Sequence, residues 1–391
     1  MRVLLVTDWT AEVGGAETYL ELVAAGLRAC GDEVALLTST AGSGDHADYR
    51  AFGTERRAAQ AFLQIANPLA ANDVRRAVAD FRPDAVHVTM FEILLSPAIF
   101  APLRRLPTLL NVAYYKPICP TGHKLLPDGS LCQVRAGIAC LRHGCLSKPR
   151  WLREQARYAL IRAAISRASL VLTCSRFMQS ELARAGVSAH WLPWPIGAPS
   201  PGFSRTRATE PLFVFTGRLS PEKGVDVLLH ALALLRDQGV GARLRVVGDG
   251  PAQAALETLA RSLELGTLVD FVGRVPREQV ERELADAWAL IAPSSWAEPL
   301  GLTALEAIVL GVPVVASATG GFAETVQPGV NGLLFPNRDV EALAERLREI
   351  ASGRAFPRGE VPAASAREAL AEHDLGRHVE RLRELMGNLI G

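Results

Sequence analysis

Two cations stand close together in FTGRLSPEKGVDVLLHAL, Phe215–Leu232, where one apolar run ends at Gly217 and another opens after Gly224. The guanidinium fork of Arg218 and the ammonium of Lys223 suit the oxygens of a diphosphate, the first as a bidentate donor and the second as a point charge; a solvated loop charge plus a helix cap is the plainer alternative. Further on, PSSWAEPLGLTALEAIVLGVPVVASATGGFAE, Pro293–Glu324, places two carboxylates, Glu298 and Glu306, around a helix start. Glu298 precedes a helix that should begin near Leu300 and Gly301, and Glu306 lies inside it. The first amides of that helix, at Leu300, Gly301, Leu302 and Thr303, lack intrahelical partners and offer positive potential to an anion. Glu298 and Glu306 can accept hydrogen bonds from sugar and ribose hydroxyls. The plainer alternatives are a cap at Glu298 and a solvated Glu306, but Leu302, Leu305, Ile308 and Val309 leave that helix little room for a solvent face.

Other segments carry weaker signals. In TAEVGGAETY, Gly14 and Gly15 stand between a first strand and a first helix, where a backbone without Cβ atoms can approach a ligand. This is not the dinucleotide fingerprint, whose second and third glycines are missing, and a tight turn would look the same. Cys119, Cys132, Cys140 and Cys145 fall in one irregular stretch with His123 and His143. Four thiolates there could close a structural zinc site, although their spacings of twelve, seven and four intervening residues differ from the usual short knuckles; free thiols and redox-dependent disulfides are the alternatives. From Arg142 to Arg167 seven Lys or Arg residues accompany one acid, Glu154, a pattern of either a solvated basic helix or a peripheral contact with an anionic membrane.

Strands must present these residues at their ends, and the chain supplies them. VLLVTD, EVALLTS, DAVHVTM, PTLLNVA and LVLTCS alternate with helical patterns, and so do LFVFTGRLS, RLRVVGDG, VDFVGRV, ALIAPSS, VPVVAS and NGLLFP. Continuous Val and Leu runs in a βαβ rhythm predict parallel strands covered on both faces. The rhythm breaks over Trp191–Pro211, rich in proline, glycine and small polar residues, which reads as a linker. The expected organisation is a doubly wound α/β domain over 1–195 with an irregular insertion at about 116–150, and a second such domain over 212–370. A terminal helix over 371–391 should pack back toward the first domain.

A chain of 391 residues, 49% hydrophobic, has material for two cores, and its formal net charge of +1 excludes a whole-protein polyanion binder such as a general nucleic-acid coat. The apolar run after Met1 reaches Asp8 too soon for a signal-peptide core or a membrane span, so a cytoplasmic enzyme, peripheral to the inner membrane face at most, is the expectation.

GRLSPEKG, VVGDGP, FVGRV, PSSWAEPLGLTALEAIVLGVPVVAS and GGFAETV, in that order across Leu212–Pro336, resemble the C-terminal domain of family 4 retaining glycosyltransferases. GGAETY extends the likeness to the N-terminal half, and the cysteine stretch resembles an insertion found in a subset of the family. The resemblance implies an α/β GT-B fold, two doubly wound Rossmann-like domains facing a central cleft, and transfer of a sugar from a UDP- or GDP-type nucleotide sugar to an acceptor. It implies that Arg218 and Lys223 neutralise the departing diphosphate, that Glu298 touches the donor sugar, and that Glu306 holds the ribose. Gly14 and Gly15 then match the loop over the donor phosphates, while Gly248, Arg274 and Val275 match the base pocket. No cofactor is implied for catalysis, because the cations and the helix amides do what a metal does elsewhere.

In one place the chain departs from its relatives. Many carry His-Asp-Tyr ahead of a Cys-Pro pair; here LLNVAYYKPICP places Ala113 at the histidine and Tyr114 at the aspartate, with Asn111 two residues earlier. Asn111 or Tyr114 is expected to supply the missing hydrogen bond, with His123 as a further candidate. The rival functions are a silent nucleotide-sugar binder and a GT-B sugar-nucleotide epimerase.

Overall fold

The computed structural model describes residues 1–9, 15–41 and 46–391. The chain divides into two compact units, the first made of Met1–Pro195 with His373–Gly391 and the second of Ile196–Glu372.

The first unit is built on a seven-stranded parallel sheet: β1 Arg2–Val6, β2 Glu33–Ser39, β3 Tyr49–Ala51, β4 Ala85–Val88, β5 Thr108–Asn111, β6 Leu170–Thr173 and β7 His190–Trp191. Their order is β3-β2-β1-β4-β5-β6-β7, with β1 pairing β2 on one side and β4 on the other. Val3, Leu4, Leu5 and Val6 are completely buried, as are the four residues of β4 and most of β5. Strands covered on both faces have no need of polar alternation, which is why the apolar runs in the sequence are unbroken.

The second unit carries a six-stranded parallel sheet: β8 Leu212–Thr216, β9 Arg243–Val247, β10 Val269–Gly273, β11 Ala289–Ala292, β12 Val314–Ser317 and β13 Gly332–Phe335, ordered β10-β9-β8-β11-β12-β13. One face of this sheet is closed by Val225–Asp237 and Val340–Ala351, whose Leu228, Leu229, Leu232, Leu343 and Leu347 join a single core with Phe213 and Leu244.

Every strand expected from the sequence is present, and both units are Rossmann-like α/β layers, the architecture of the GT-B fold. Two strands, β3 and β7, had no sequence signal, being short edge strands of three and two residues. The segment after Trp191 is not the free linker its composition suggests. Leu192, Trp194 and Ile196 are buried. Arg205 donates to the carbonyls of Gly311 and Gly359 at 2.6 Å each and to that of Ala287, so one guanidinium replaces the missing secondary structure.

Within the first unit, the final helix Leu375–Ile390 is capped by Asp374, which accepts from the Arg377 amide at 2.8 Å. It buries His378, Val379, Leu382 and Met386. A side chain at Gly26, on helix Gly15–Ala29, would bring a Cβ within 2.5 Å of Val379 Cγ2, so the two helices touch where only glycine fits.

Candidate functional site

In the second sheet the chain runs from β8 outward through β9, then returns to lay β11 on the other side of β8. Such a reversal leaves a crevice at the carboxyl ends of the two strands, and the sequence-derived residues gather there. Gly217 closes β8, Arg218 follows, exposed, and Lys223 ends a 3₁₀ turn over Pro221–Lys223. The loop after β11 brings Glu298. Lys223 Nζ donates to Glu298 Oε1 at 2.6 Å, and Ser294 Oγ donates to the same oxygen at 2.8 Å. The two loops are joined behind this pair, since the Ser295 amide donates to the Glu222 carbonyl at 2.8 Å. Gly224, at φ +69°, lies so close to the Pro293 carbonyl that a Cβ would collide with it.

Glu298 is 8% exposed. Burial opposes its ionisation, but the Lys223 charge, together with hydrogen bonds from Lys223, Trp296 and Ser294, outweighs burial and holds the carboxyl below its ordinary value. The Lys223 ammonium also lies 5.6 Å from the centre of the Trp296 ring.

Helix Leu302–Val309 begins directly beyond Glu298, with Gly301 as its N-cap at φ +85° and no side-chain cap. The amides of Leu300, Gly301, Leu302 and Thr303 make no hydrogen bond to any other described residue, which leaves an uncapped, positively polarised helix end beside Lys223. Gly301 is required here twice over, by its left-handed φ and because a Cβ would lie 2.5 Å from the Phe322 ring. Glu306, in the same helix, accepts from Arg277 at 2.7 Å and keeps a quarter of its side chain exposed. Burial pushes its carboxyl up while Arg277 opposes the shift. Gly248 follows β9 and donates its amide to the Gly273 carbonyl at 2.8 Å; Arg274 follows β10 and is exposed, and Val275 packs partly against the core. All these positions lie on the carboxyl edge of one sheet.

The corresponding reversal in the first sheet lies between β1 and β4. Gly14 lies outside the described residues, and Gly15 is the first residue of its helix. Asp8, buried at the end of β1, accepts the amides of Ile93, Leu94 and Leu95 at 2.8, 2.9 and 2.8 Å, which shapes the loop after β4. Asn111 is turned into the interior: 2% exposed, its Oδ1 accepts from Trp194 Nε1 at 3.4 Å. Tyr114 stays half-buried, and its hydroxyl donates to Glu92 Oε2 at 2.5 Å. His123 is exposed on the insertion. Sequence reasoning missed Glu92, Ser294 and Arg277. The one available signal was Glu92 itself, a single acid inside the apolar run MFEILL.

The cysteines are all unpaired by disulfides. Cys119 Sγ is 3.1 Å from Thr121 Oγ1 and Cys132 Sγ is 3.7 Å from the Val134 carbonyl. Burial pushes Cys140 and Cys145 up, helped at Cys140 by the nearby Cys119 and Cys132 thiols and at Cys145 by those of Cys140, Cys132 and Cys119. No group of three or more His, Cys, Asp or Glu side chains among the described residues is placed to hold a metal ion, so the expected zinc ligands are near one another without forming a ligand set. In the basic helix Lys148–Ile165, Arg157 points inward and pairs with buried Glu154 at 3.1 Å, while Leu152 and Leu160 are exposed. No helix among the described residues is long and apolar enough to cross a membrane.

Two Rossmann-like sheets, one bearing a cation–carboxylate pair beside an open helix end, define a GT-B protein. Residues 14–194 match the family described as Glycosyl transferase 4-like domain, and residues 201–368 match Glycosyl transferases group 1, the two matches following one another along the chain. It is 30% identical over 232 residues to the amylovoran biosynthesis glycosyltransferase AmsK of Erwinia amylovora, a match covering 56% of each chain. It is 35% identical over 214 residues to the glycogen synthase of Mycobacterium tuberculosis, covering 51% of this chain and 48% of that one. The chain thus spans about half the length of these curated relatives. Among solved structures, the sucrose-phosphate synthase of Thermosynechococcus elongatus superimposes with a TM-score of 0.77 at 22% identity, over 99% of this chain and 98% of that one. Anabaena HepE in complex with UDP-glucose gives 0.67 at 19% identity, over 99% and 100%.

Proposed function

We propose that this protein is a retaining glycosyltransferase that moves a sugar from a UDP- or GDP-type nucleotide-diphosphate sugar to a small-molecule, glycan or lipid-linked acceptor. The observation that carries the reading is the placement of Arg218, Lys223 and the free amides of Leu300–Thr303 around one crevice at the β8/β11 reversal. That arrangement offers a diphosphate an exposed guanidinium, an ammonium held by Glu298 and several N–H donors. As the bond from the sugar carbon to phosphate breaks, its electron pair leaves on the phosphate oxygen, where these groups stabilise the charge without calling on a metal. Front-side attack then lets the departing phosphate take the acceptor's proton. Glu298, held ionised, is suited to accept from a donor-sugar hydroxyl and Glu306 from the ribose.

Relatives with glycosyltransferase names and a nucleotide-sugar complex among the fold neighbours support this choice. A second reading, a silent nucleotide-sugar binder, is favoured by one feature, Ala113 where the family's histidine stands. A peripheral contact with an anionic membrane fits the exposed Leu152 and Leu160 beside Lys148, Arg150 and Arg153, and liposome flotation tests it.

The decisive experiment has two stages. Thermal denaturation is followed against a panel of nucleotide sugars, where a donor that binds the folded state raises the midpoint. Nucleotide release from that donor is then measured. Binding with release supports the transferase; binding with none supports the silent binder, and no midpoint shift with any donor overturns both.

A further inference from the structure

The mouth of the first sheet holds a polar pair that the donor-side reading does not use. Glu92 is 1% exposed. Its Oε2 accepts from the Tyr114 hydroxyl at 2.5 Å and from the Phe91 amide at 3.3 Å, while its Oε1 is buried with no hydrogen-bond partner. The loop bearing it is held from several sides. Asp8 takes the next three amides, Asn67 Nδ2 donates to the Leu94 carbonyl at 3.1 Å, and Arg157 donates to the carbonyl of Glu92 at 2.7 Å. A carboxylate oxygen kept in the interior without a partner is a cost to the fold, and a loop this firmly fixed does not relax to relieve it.

In front of Glu92 stands Tyr114, half-buried at the carboxyl edge of the sheet, just beyond β5. A phenol has one hydrogen to give and lone pairs to accept with. With that hydrogen committed to Glu92, the oxygen is left as an acceptor for an incoming O–H. We propose that Tyr114 is the group that binds an acceptor hydroxyl, and that Glu92 is a positioning residue which decides whether the phenol receives or gives that hydrogen bond. The inference rests on the glycosyltransferase reading.

The surroundings make this pair responsive near neutral pH. Burial pushes the Glu92 carboxyl up to about 7, nearby Asp8 adds to the shift, and the Tyr114 hydroxyl, the Phe91 amide and the Arg157 guanidinium oppose it. Lys116, itself pulled down by burial, also lies within range of Glu92, and Glu154 is paired to Arg157. When Glu92 is ionised, Tyr114 receives from the acceptor. When Glu92 is protonated, its own O–H can donate to the phenol oxygen and turn the Tyr114 hydrogen outward.

Two measurements on the full chain test this. Infrared titration of the protein alone should show a protonated carboxyl that ionises with a midpoint near 7. The signal should be absent in Glu92→Gln and move to higher pH in Tyr114→Phe, which loses a hydrogen bond to the carboxylate. Burial also pushes Asp8 and Glu306 up, so the Glu92 band is read as the difference between wild type and Glu92→Gln; no such difference near 7, or a midpoint indifferent to Tyr114→Phe, overturns the pair. Transfer is then assayed with UDP-glucose and GDP-mannose, using n-octyl α-D-mannoside as the probe hydroxyl. Each variant should raise the acceptor KM roughly tenfold with the donor KM within about twofold, and Glu92→Gln should abolish the pH dependence of the acceptor KM near neutrality. An unchanged acceptor KM profile in Glu92→Gln sinks the inference and leaves the transferase standing. No nucleotide release from the wild type with either donor removes the transferase reading and this role with it, while the infrared result is read separately.

Discussion

Both sheets reverse direction once, and the two reversals are built in opposite ways. At β8/β11 a buried carboxylate, Glu298, meets an ammonium at 2.6 Å, an exposed guanidinium stands by, and a helix end is left uncapped. At β1/β4 two buried carboxyls, Asp8 and Glu92, meet backbone amides and a phenol. The first crevice gathers positive charge, which fits a diphosphate. The second holds its acids with backbone amides and a phenol, Arg157 being the cation that acts on both, which fits neutral hydroxyls. The same topology serves both because the ligand chemistry resides in the loops beyond the strands.

The largest way to break the comparison is to discharge the second unit. Replacing Arg218 or Lys223 by alanine should lower donor turnover on the order of a hundredfold or more, as the loss of a preorganised charge does elsewhere, measured as kcat with saturating donor. Equal turnover in both variants would make the two mouths functionally alike. In the first unit, Asp8→Ala removes the acceptor for two buried amides and a part-buried one and should cost roughly 3 kcal/mol or more in urea unfolding, with the donor-induced rise in melting midpoint retained.

A smaller effect separates the carboxylates by pH. The folded-state carboxyl of Glu298 is held below its ordinary value, so its contribution to stability is complete above the ordinary carboxylate range and fades as pH falls through the folded value. The urea midpoint of the wild type should therefore exceed that of Glu298→Gln at neutral pH and converge on it in acid. Gly301→Ala should cost about 1–3 kcal/mol through its left-handed backbone, and weaken donor binding as the helix end shifts against Phe322. Smallest of all, Arg277→Ala should change stability by less than about 1 kcal/mol, because its pair with Glu306 is part-exposed.

Much of the second unit was legible because its chemistry is local. Arg218 and Lys223 follow one strand, Glu298 and Glu306 flank one helix start, and apolar runs mark the sheet that aligns them. The first unit was less legible because its contacts are long-range. Nothing in MFEILL says that Glu92 will meet Tyr114, twenty-two residues on. Nothing near Asn111 says that Trp194, eighty-three residues away, will occupy its amide. The segment after Trp191 reads as a free linker for a related reason: proline and glycine content reports missing periodicity, while Arg205 reaches distant carbonyls that no window of sequence contains.

The closing helix has a consequence for biosynthesis. Leu375–Ile390 belongs to the unit that begins at Met1, so the ribosome completes the whole second unit before it supplies the last piece of the first. Until then the surface beside Gly26 that receives Val379 lacks its cover, and the nascent first unit is an incomplete fold that invites chaperone attention.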